Sequence, residues 1–262
     1  SLLLGGTWAI PGTIGSGTPN SGVFTTLRST GKLTTPNINS FLVVDGTTYT
    51  TIAAAQAALP AGGGTVIIPA ATYTEQVVMT KSNVTLELDP NAILAPTAAG
   101  AAITIGDGTT AILRNVKING GQIKPSGANP TRGIYLRGAA AGGTVQHIEI
   151  NTTVDGTNAS NANFDGIYGD GVLDNITIGT HCYSMNNLRD GYSFQSTSIT
   201  NMNQIKVLGR ANNNSRYGVY GTLITAFHFI GAESATSASP NTARALRFEG
   251  INGGSVVSAT LR

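Results

Sequence analysis

A single cysteine, Cys182, stands in 262 residues, so no intrachain disulfide can hold this chain together and its stability must come from packing or association. One cysteine leaves the redox compartment open. Charged residues make up only 11% of the chain, too few to solvate long surface helices. Fifteen Lys and Arg balance thirteen Asp and Glu without a basic run, which excludes the electrostatic footprint of nucleic-acid binding and a polybasic membrane patch. Long apolar runs are missing too. The opening Ser1-Leu2-Leu3-Leu4 lacks a basic flank and runs into Gly5-Gly6, too short for a signal core or a membrane span, so no membrane insertion is expected. His147, His181 and His228 lack metal-ligand spacing and an evident Ser or Cys nucleophile, and read as surface or turn residues. Gly62-Gly63-Gly64 leads into a strand and Gly142-Gly143 lacks the lysine of a phosphate loop. Neither a metal nor an organic cofactor is expected.

What the chain has in quantity is glycine, 34 residues, amid Thr, Asn, Ser and Ala, a composition suited to many short strands joined by turns. Residues 1–40 carry few apolar side chains and no lasting period, and read as a Thr/Gly-rich stem, linker or trimerisation segment. From residue 41 the pattern changes. Phe41-Leu42-Val43-Val44 reads as a strand and Asp45-Gly46 as a turn. A two-turn helix follows, capped by Thr50 or Thr51, with Ile52, Ala55 and Leu59 on one face and Pro60 ending it. Strand-like runs come next at 65–68, 77–79 and 84–88. A helix laid across the end of a stack of coils would cover its first apolar cross-section and its unpaired strands.

Beyond residue 100 an irregular repeat is aligned by a Gly-apolar-x-apolar core at Gly133, Gly166, Gly191 and Gly218, with Ala245 in the last copy, in steps of 25–33 residues. A second run keeps phase with it: Ile148-Glu149-Ile150, Ile176-Thr177-Ile178, Ile205-Lys206-Val207 and Phe227-His228-Phe229. Two or three short strands plus turns fill such a period, which is a β-helix coil and too short for a propeller blade. Alternation sends Ile134, Leu136, Ile148 and Ile150 inward. Stacking then aligns Tyr135, Tyr168, Ser193, Tyr220 and Arg247 in one outward column, and Glu149, Thr177, Lys206 and His228 in another. The residues before the glycines form a third: Arg132, Asp165, Asp190, Tyr217 and Arg244.

Sugar rings stack on aromatic faces, and the same column equally suits a chain-to-chain interface or edge-covering role. Tyr135, Tyr168, Tyr220, Arg132 and Arg247 are therefore the candidate carbohydrate-binding residues. Asp165 and Asp190 on adjacent coils would stand about 5 Å apart, near the spacing of a retaining glycosidase pair, and like charges that close split their pKa values. They are the candidate catalytic pair, with favoured Asp-Gly turn chemistry as the alternative. Asp170 and Asp174 would widen the acidic cluster or bind a hard cation, and Arg189 is the candidate base for lyase chemistry. Asn175, Asn186-Asn187 and Asn212-Asn213-Asn214 read as stacked amide ladders or turn residues.

Two stretches carry a family resemblance. The run Ile14-Gly15-Ser16-Gly17-Thr18-Pro19-Asn20-Ser21-Gly22-Val23-Phe24-Thr25-Thr26-Leu27 looks like the I-G-x-x-T-P-x-x-G-x-F-T-T-L element of bacteriophage tail-fibre and tailspike proteins, where such segments gain order by winding with two other chains. The helix followed by Gly62-Gly63-Gly64-Thr65-Val66-Ile67-Ile68-Pro69-Ala70-Ala71-Thr72-Tyr73 and short strands resembles the N-terminal start of pectate-lyase-like β-helices. Together they imply an all-β, right-handed, single-stranded parallel β-helix over residues 41–262 with a short N-terminal capping helix. They also imply a parallel homotrimer on a virion tail, joined to other tail or baseplate proteins and facing host cell-surface polysaccharide. A polysaccharide depolymerase, hydrolase or lyase, virion-borne or secreted by a bacterium, is the alternative, although the local catalytic signatures of pectate lyases are missing. The ending Thr260-Leu261-Arg262 shows no polar cap, so the chain is expected to be part of a longer protein.

Overall fold

The computed structural model describes residues 40–109, 112–139, 143–196 and 202–229, and the backbone of 233–234 and 244–249. The stem read over residues 1–40 lies, apart from Ser40, outside the described residues. In chain order the elements are β1 (Ser40–Val43), α1 (Ile52–Ala58), β2 (Gly64–Ile68), β3 (Thr72–Tyr73), β4 (Val77–Met79), β5 (Val84–Leu94), β6 (Gly100–Ile105), β7 (Leu113–Ile123), β8 (Pro130–Arg137) and β9 (Val145–Asp155). They continue as β10 (Asp165–Asp170), β11 (Leu173–Ile178), β12 (Tyr183–Met185), β13 (Asp190–Gln195), β14 (Met202–Val207), β15 (Arg210–Asn212), β16 (Tyr217–Thr222), β17 (Phe227–Phe229), β18 (Glu233–Ser234) and β19 (Arg244–Glu249).

One sheet runs β1-β2-β5-β7-β9-β11-β14-β17, with β3, β12, β15 and β18 beside it; the other runs β4-β6-β8-β10-β13-β16-β19. Neighbours within a sheet are parallel and, apart from β1 and β2, which α1 separates, have a strand of the other sheet between them in sequence. The chain therefore coils, and each coil hydrogen-bonds to the one before: a parallel β-solenoid.

Register turns the alternation of the sequence into stacked columns. In the first sheet Val66, Leu86, Ile118, Ile150, Ile178, Val207 and Phe229 pair in series, all fully buried. In the second, Val77, Ile103, Ile134, Ile167, Tyr192 and Val219 do the same. Each such side chain contributes about 1.5–3 kcal/mol on burial. In the neighbouring inward column Gly169 stands between Leu136 and Phe194: a Cβ on it would come within 2.9 Å of the Phe194 ring, so this glycine makes room for it.

The glycine that marks the repeat has a steric cause. A Cβ on Gly133, Gly166 or Gly191 would lie 2.6 Å from the carbonyl oxygen of the next glycine up the stack. None of the three has a positive φ, so space between coils, rather than conformational freedom, demands glycine there. A second column bends the chain into the first sheet: Asn83, Asn115, His147, Asn175 and Gln204 all adopt φ between 53° and 59°, the left-handed region that Asn tolerates best among residues with a Cβ. Asn115 Nδ2 donates to Asn83 Oδ1 at 2.8 Å, one rung of an amide ladder.

At the N-terminal end α1 closes the stack as the sequence suggests. Thr51 Oγ1 accepts from the Ala54 N–H at 3.0 Å, and Ile52, Ala55 and Leu59 face the core. The solenoid grips both helix ends by charge. The Glu75 carboxylate accepts from the Ile52 and Ala53 N–H groups at 2.7 and 3.0 Å, and Lys81 Nζ donates to the Ala57 and Leu59 carbonyls at 2.7 and 2.8 Å. Negative charge at the N-terminus and positive at the C-terminus complement the helix dipole.

Gly191→Ala is expected to cost about 1–3 kcal/mol or more by overpacking, read as a fall in the thermal midpoint. The outward Thr177→Ala should stay within about 0.5 kcal/mol. Equal melting of the two variants would show the columns to be misassigned.

Candidate functional site

The outward wall of the second sheet holds the column Tyr135, Tyr168, Ser193, Tyr220 and Arg247 in direct register. The Arg247 side chain lies outside the described residues. Arg132 lies across the first two rings, its Cζ 4.6 Å from the Tyr135 centroid and 4.2 Å from that of Tyr168, and the rings meet at 5.5 Å, tilted by 58°. Further up, Arg216 lies 5.0 and 5.2 Å from Tyr217 and Tyr220, which stack at 5.4 Å. The column is thus an aromatic–arginine pile that partly covers itself. Tyr168 is only 9% exposed, so the ring open to a ligand at this end is the half-buried Tyr135. Its hydroxyl donates to both oxygens of Asp170 at 2.9 and 2.8 Å. Burial and then the Asp170 charge raise the Tyr135 hydroxyl well above its usual range, so it stays a donor.

Asp165 and Asp190 do come together on adjacent coils: the Asp190 N–H donates to Asp165 Oδ1 at 3.2 Å. Both are fully buried. Arg189 forks Asp165 through Nε, at 2.7 Å, and Nη2, and Arg216 forks Asp190 at 2.8 and 2.5 Å. The arginine of each coil thus reaches back to the aspartate of the coil before it. These carboxylates stand at the starts of β10 and β13, and each is held in an internal ion pair. Arg189, the candidate base, is spent on Asp165. Burial pushes the Asp165 carboxyl up to about 6 against the pull of Arg189, with Asp190 adding to the rise. Asp170 holds Tyr135, Asp174 accepts from Asn203 Nδ2 at 3.0 Å, and among the described residues no three metal-ligating side chains converge.

The outward wall of the first sheet extends the second sequence column. Lys117, Glu149, Thr177, Lys206 and His228 stand in register, and Lys117 pairs with Glu149 at 2.8 Å. Lys117 above all holds the Glu149 carboxyl below its usual range, against burial. A hydrogen-bonded line runs from Glu149 through Asn151 and Asn119 to Glu87. Concavities of about 540 and 530 Å³ open beside it, the first over Lys117, His147 and Glu149 and the second over Asn119, Asn151 and His181. Lys117 and Asn119 were missed in the sequence, although Val116-Lys117-Ile118 repeats the pattern of Ile148-Glu149-Ile150 32 residues earlier. His147 and His181 are exposed, His147 at a left-handed bend, and His228 is half-buried.

Of the asparagines read as ladders or turns, Asn186 and Asn187 form ladders, while Asn175 takes a left-handed bend. Asn213 Nδ2 donates to Asn186 Oδ1 at 2.8 Å, and the buried Asn187 Nδ2 to Asn214 Oδ1 at 2.7 Å. Cys182 is buried, and burial pushes its thiol up to about 12, out of reactive range.

Architecture and walls together define a parallel β-solenoid with one aromatic–arginine face and one amide-rich face. Compared with known proteins, the chain matches no family model, and no curated protein and no solved structure is significantly similar to it.

Removing Arg189 strands a buried carboxylate. Arg189→Met is expected to cost about 3–5 kcal/mol at pH 8, and less at pH 5. Arg189 holds the Asp165 carboxyl at about 6 against burial, so without it the folded pKa moves further above the unfolded 3.8: stability is fully present below 3.8 and is lost as pH rises toward that higher folded pKa. Adding Asp165→Asn should recover much of the loss. Urea unfolding at both pH values checks this, and a loss that does not depend on pH would contradict the assignment.

Proposed function

We propose that the chain is a structural and receptor-binding component of a bacteriophage tail, a tail fibre or tailspike, assembled as a parallel homotrimer and presenting its solenoid wall to host cell-surface polysaccharide. The observation that carries this reading is the column of tyrosine rings and guanidinium groups held in register along a stiff stack. Such a surface offers apolar faces with polar tips, which suits sugar rings. The tail-fibre-like run Ile14–Leu27 supports the trimer, placement on the virion and attachment to other tail or baseplate proteins. Depolymerase activity draws less support, because Asp165 and Asp190 are shut off from solvent and each is forked by an arginine.

Light scattering on residues 1–262 should give three times the 26.8 kDa chain mass. The protein should bind host capsule or lipopolysaccharide without releasing reducing ends. Tyr135→Ala and Tyr220→Ala should each weaken that binding by about tenfold, the scale of one aromatic contact. A stable monomer would overturn the tail-fibre reading, and steady release of reducing oligosaccharides would favour a depolymerase.

A further inference from the structure

We propose that the wall of the second sheet takes an acidic saccharide, whose carboxylate docks on the guanidinium of Arg132. The inference rests on the glycan-recognition reading and narrows it to one chemical class.

Arg132, Arg189 and Arg216 lie along this wall, and they are not equivalent. Arg189 and Arg216 use their forks on Asp165 and Asp190. Arg132 takes no part in any ion pair among the described residues. Its Nη1 makes one long contact, 3.4 Å, to Thr131 Oγ1, and its Nε, shut off from water, has no hydrogen-bond partner. Of the neighbouring carboxylates, Asp165 is ion-paired to Arg189, whereas Asp170 attracts Arg132 through space without a contact. Asp165, its register partner, is held by Arg189 and by the Asp190 N–H, and Asp170 takes the Tyr135 hydroxyl on both oxygens.

Arg132 is nevertheless fixed. Its stacking on Tyr135 and Tyr168 holds the guanidinium in place before any ligand arrives, so little ordering is left to be done on binding. Nε is out of a ligand's reach, so a planar carboxylate meets this half-buried cation end-on and accepts from Nη1 and Nη2. The apolar body of a sugar bearing that carboxylate meets Tyr135 alongside. On this wall the acid therefore comes from the ligand, in the role that Asp165 and Asp190 play for the other two arginines.

Saturation-transfer NMR on the whole chain tests this with methyl α-glucuronide and methyl α-galacturonide against methyl α-glucoside and methyl α-galactoside. Transfer is expected to a uronide and not to the neutral glycosides, and it should vanish in Arg132→Gln. Arg132→Lys keeps charge without the planar fork and should weaken binding by about tenfold or more; it also carries the test if Arg132→Gln fails to fold. Lys206→Gln, exposed on the wall of the first sheet, should change nothing. Equal transfer to the neutral glycosides, or a uronide signal that survives in a folded Arg132→Gln, overturns the proposal while leaving glycan recognition standing. Displacement by equal acetate or inorganic phosphate would reveal a bare anion site and overturn its saccharide part. Transfer to no sugar overturns it too, and whether the wider reading falls with it is then told by binding of host polysaccharide.

Discussion

A parallel stack of coils holds together only if each coil repeats its inward and outward positions in step with the one before it. Side chains alternate with a period of two, so a slip of one residue would send every core residue to water. The register from Val66 to Phe229 in one sheet, and from Val77 to Val219 in the other, is therefore the constraint on which everything else depends. The glycine column tightens it. With the next carbonyl oxygen 2.6 Å from where a Cβ would sit, Gly133, Gly166 and Gly191 let coils close at one height only.

Charge reinforces the same register. Arg189 and Arg216 each bridge two successive coils, so the ion pairs act as rivets between neighbours rather than as chemistry within one coil. Such pairs repay their desolvation only with good geometry, and here each carboxylate receives a two-point fork. The amide ladders Asn83–Asn115, Asn186–Asn213 and Asn187–Asn214 do the same without charge. Sparse charge in the sequence thus reflects placement: several of the few charged side chains tie coils or the capping helix, as Glu75 and Lys81 do.

A scaffold stiffened this way turns its outer walls into fixed arrays. Side chains on adjacent coils stand one strand spacing apart, roughly 4.8 Å, close enough for Tyr135, Tyr168 and Arg132 to become one surface. That closeness also limits the surface, since Arg132 covers much of the ring face that Tyr168 would offer to a ligand. Recognition then shifts from stacking on a bare tyrosine column toward the cation that the tyrosines hold.

The sequence by itself determined the inward columns and the stacking register, although outward positions such as Ser193 and Tyr168 end buried. Period-two alternation, a repeat marked by glycine and a capped helix before residue 60 suffice for that, and the columns of Tyr135 and Glu149 emerge in the predicted register because local chain geometry sets them. It also brought Asp165 beside Asp190 and stacked the asparagines. Only the tertiary structure decided what those neighbours do. Whether an outward aspartate meets water or a guanidinium depends on Arg189 and Arg216, 24 and 26 residues further along the chain, reaching back one coil. Whether a tyrosine is open depends on which side chain lies over it. Burial and partner choice are properties of the stack, where separate coils compete for the same donors and acceptors, and no single coil's sequence records the outcome.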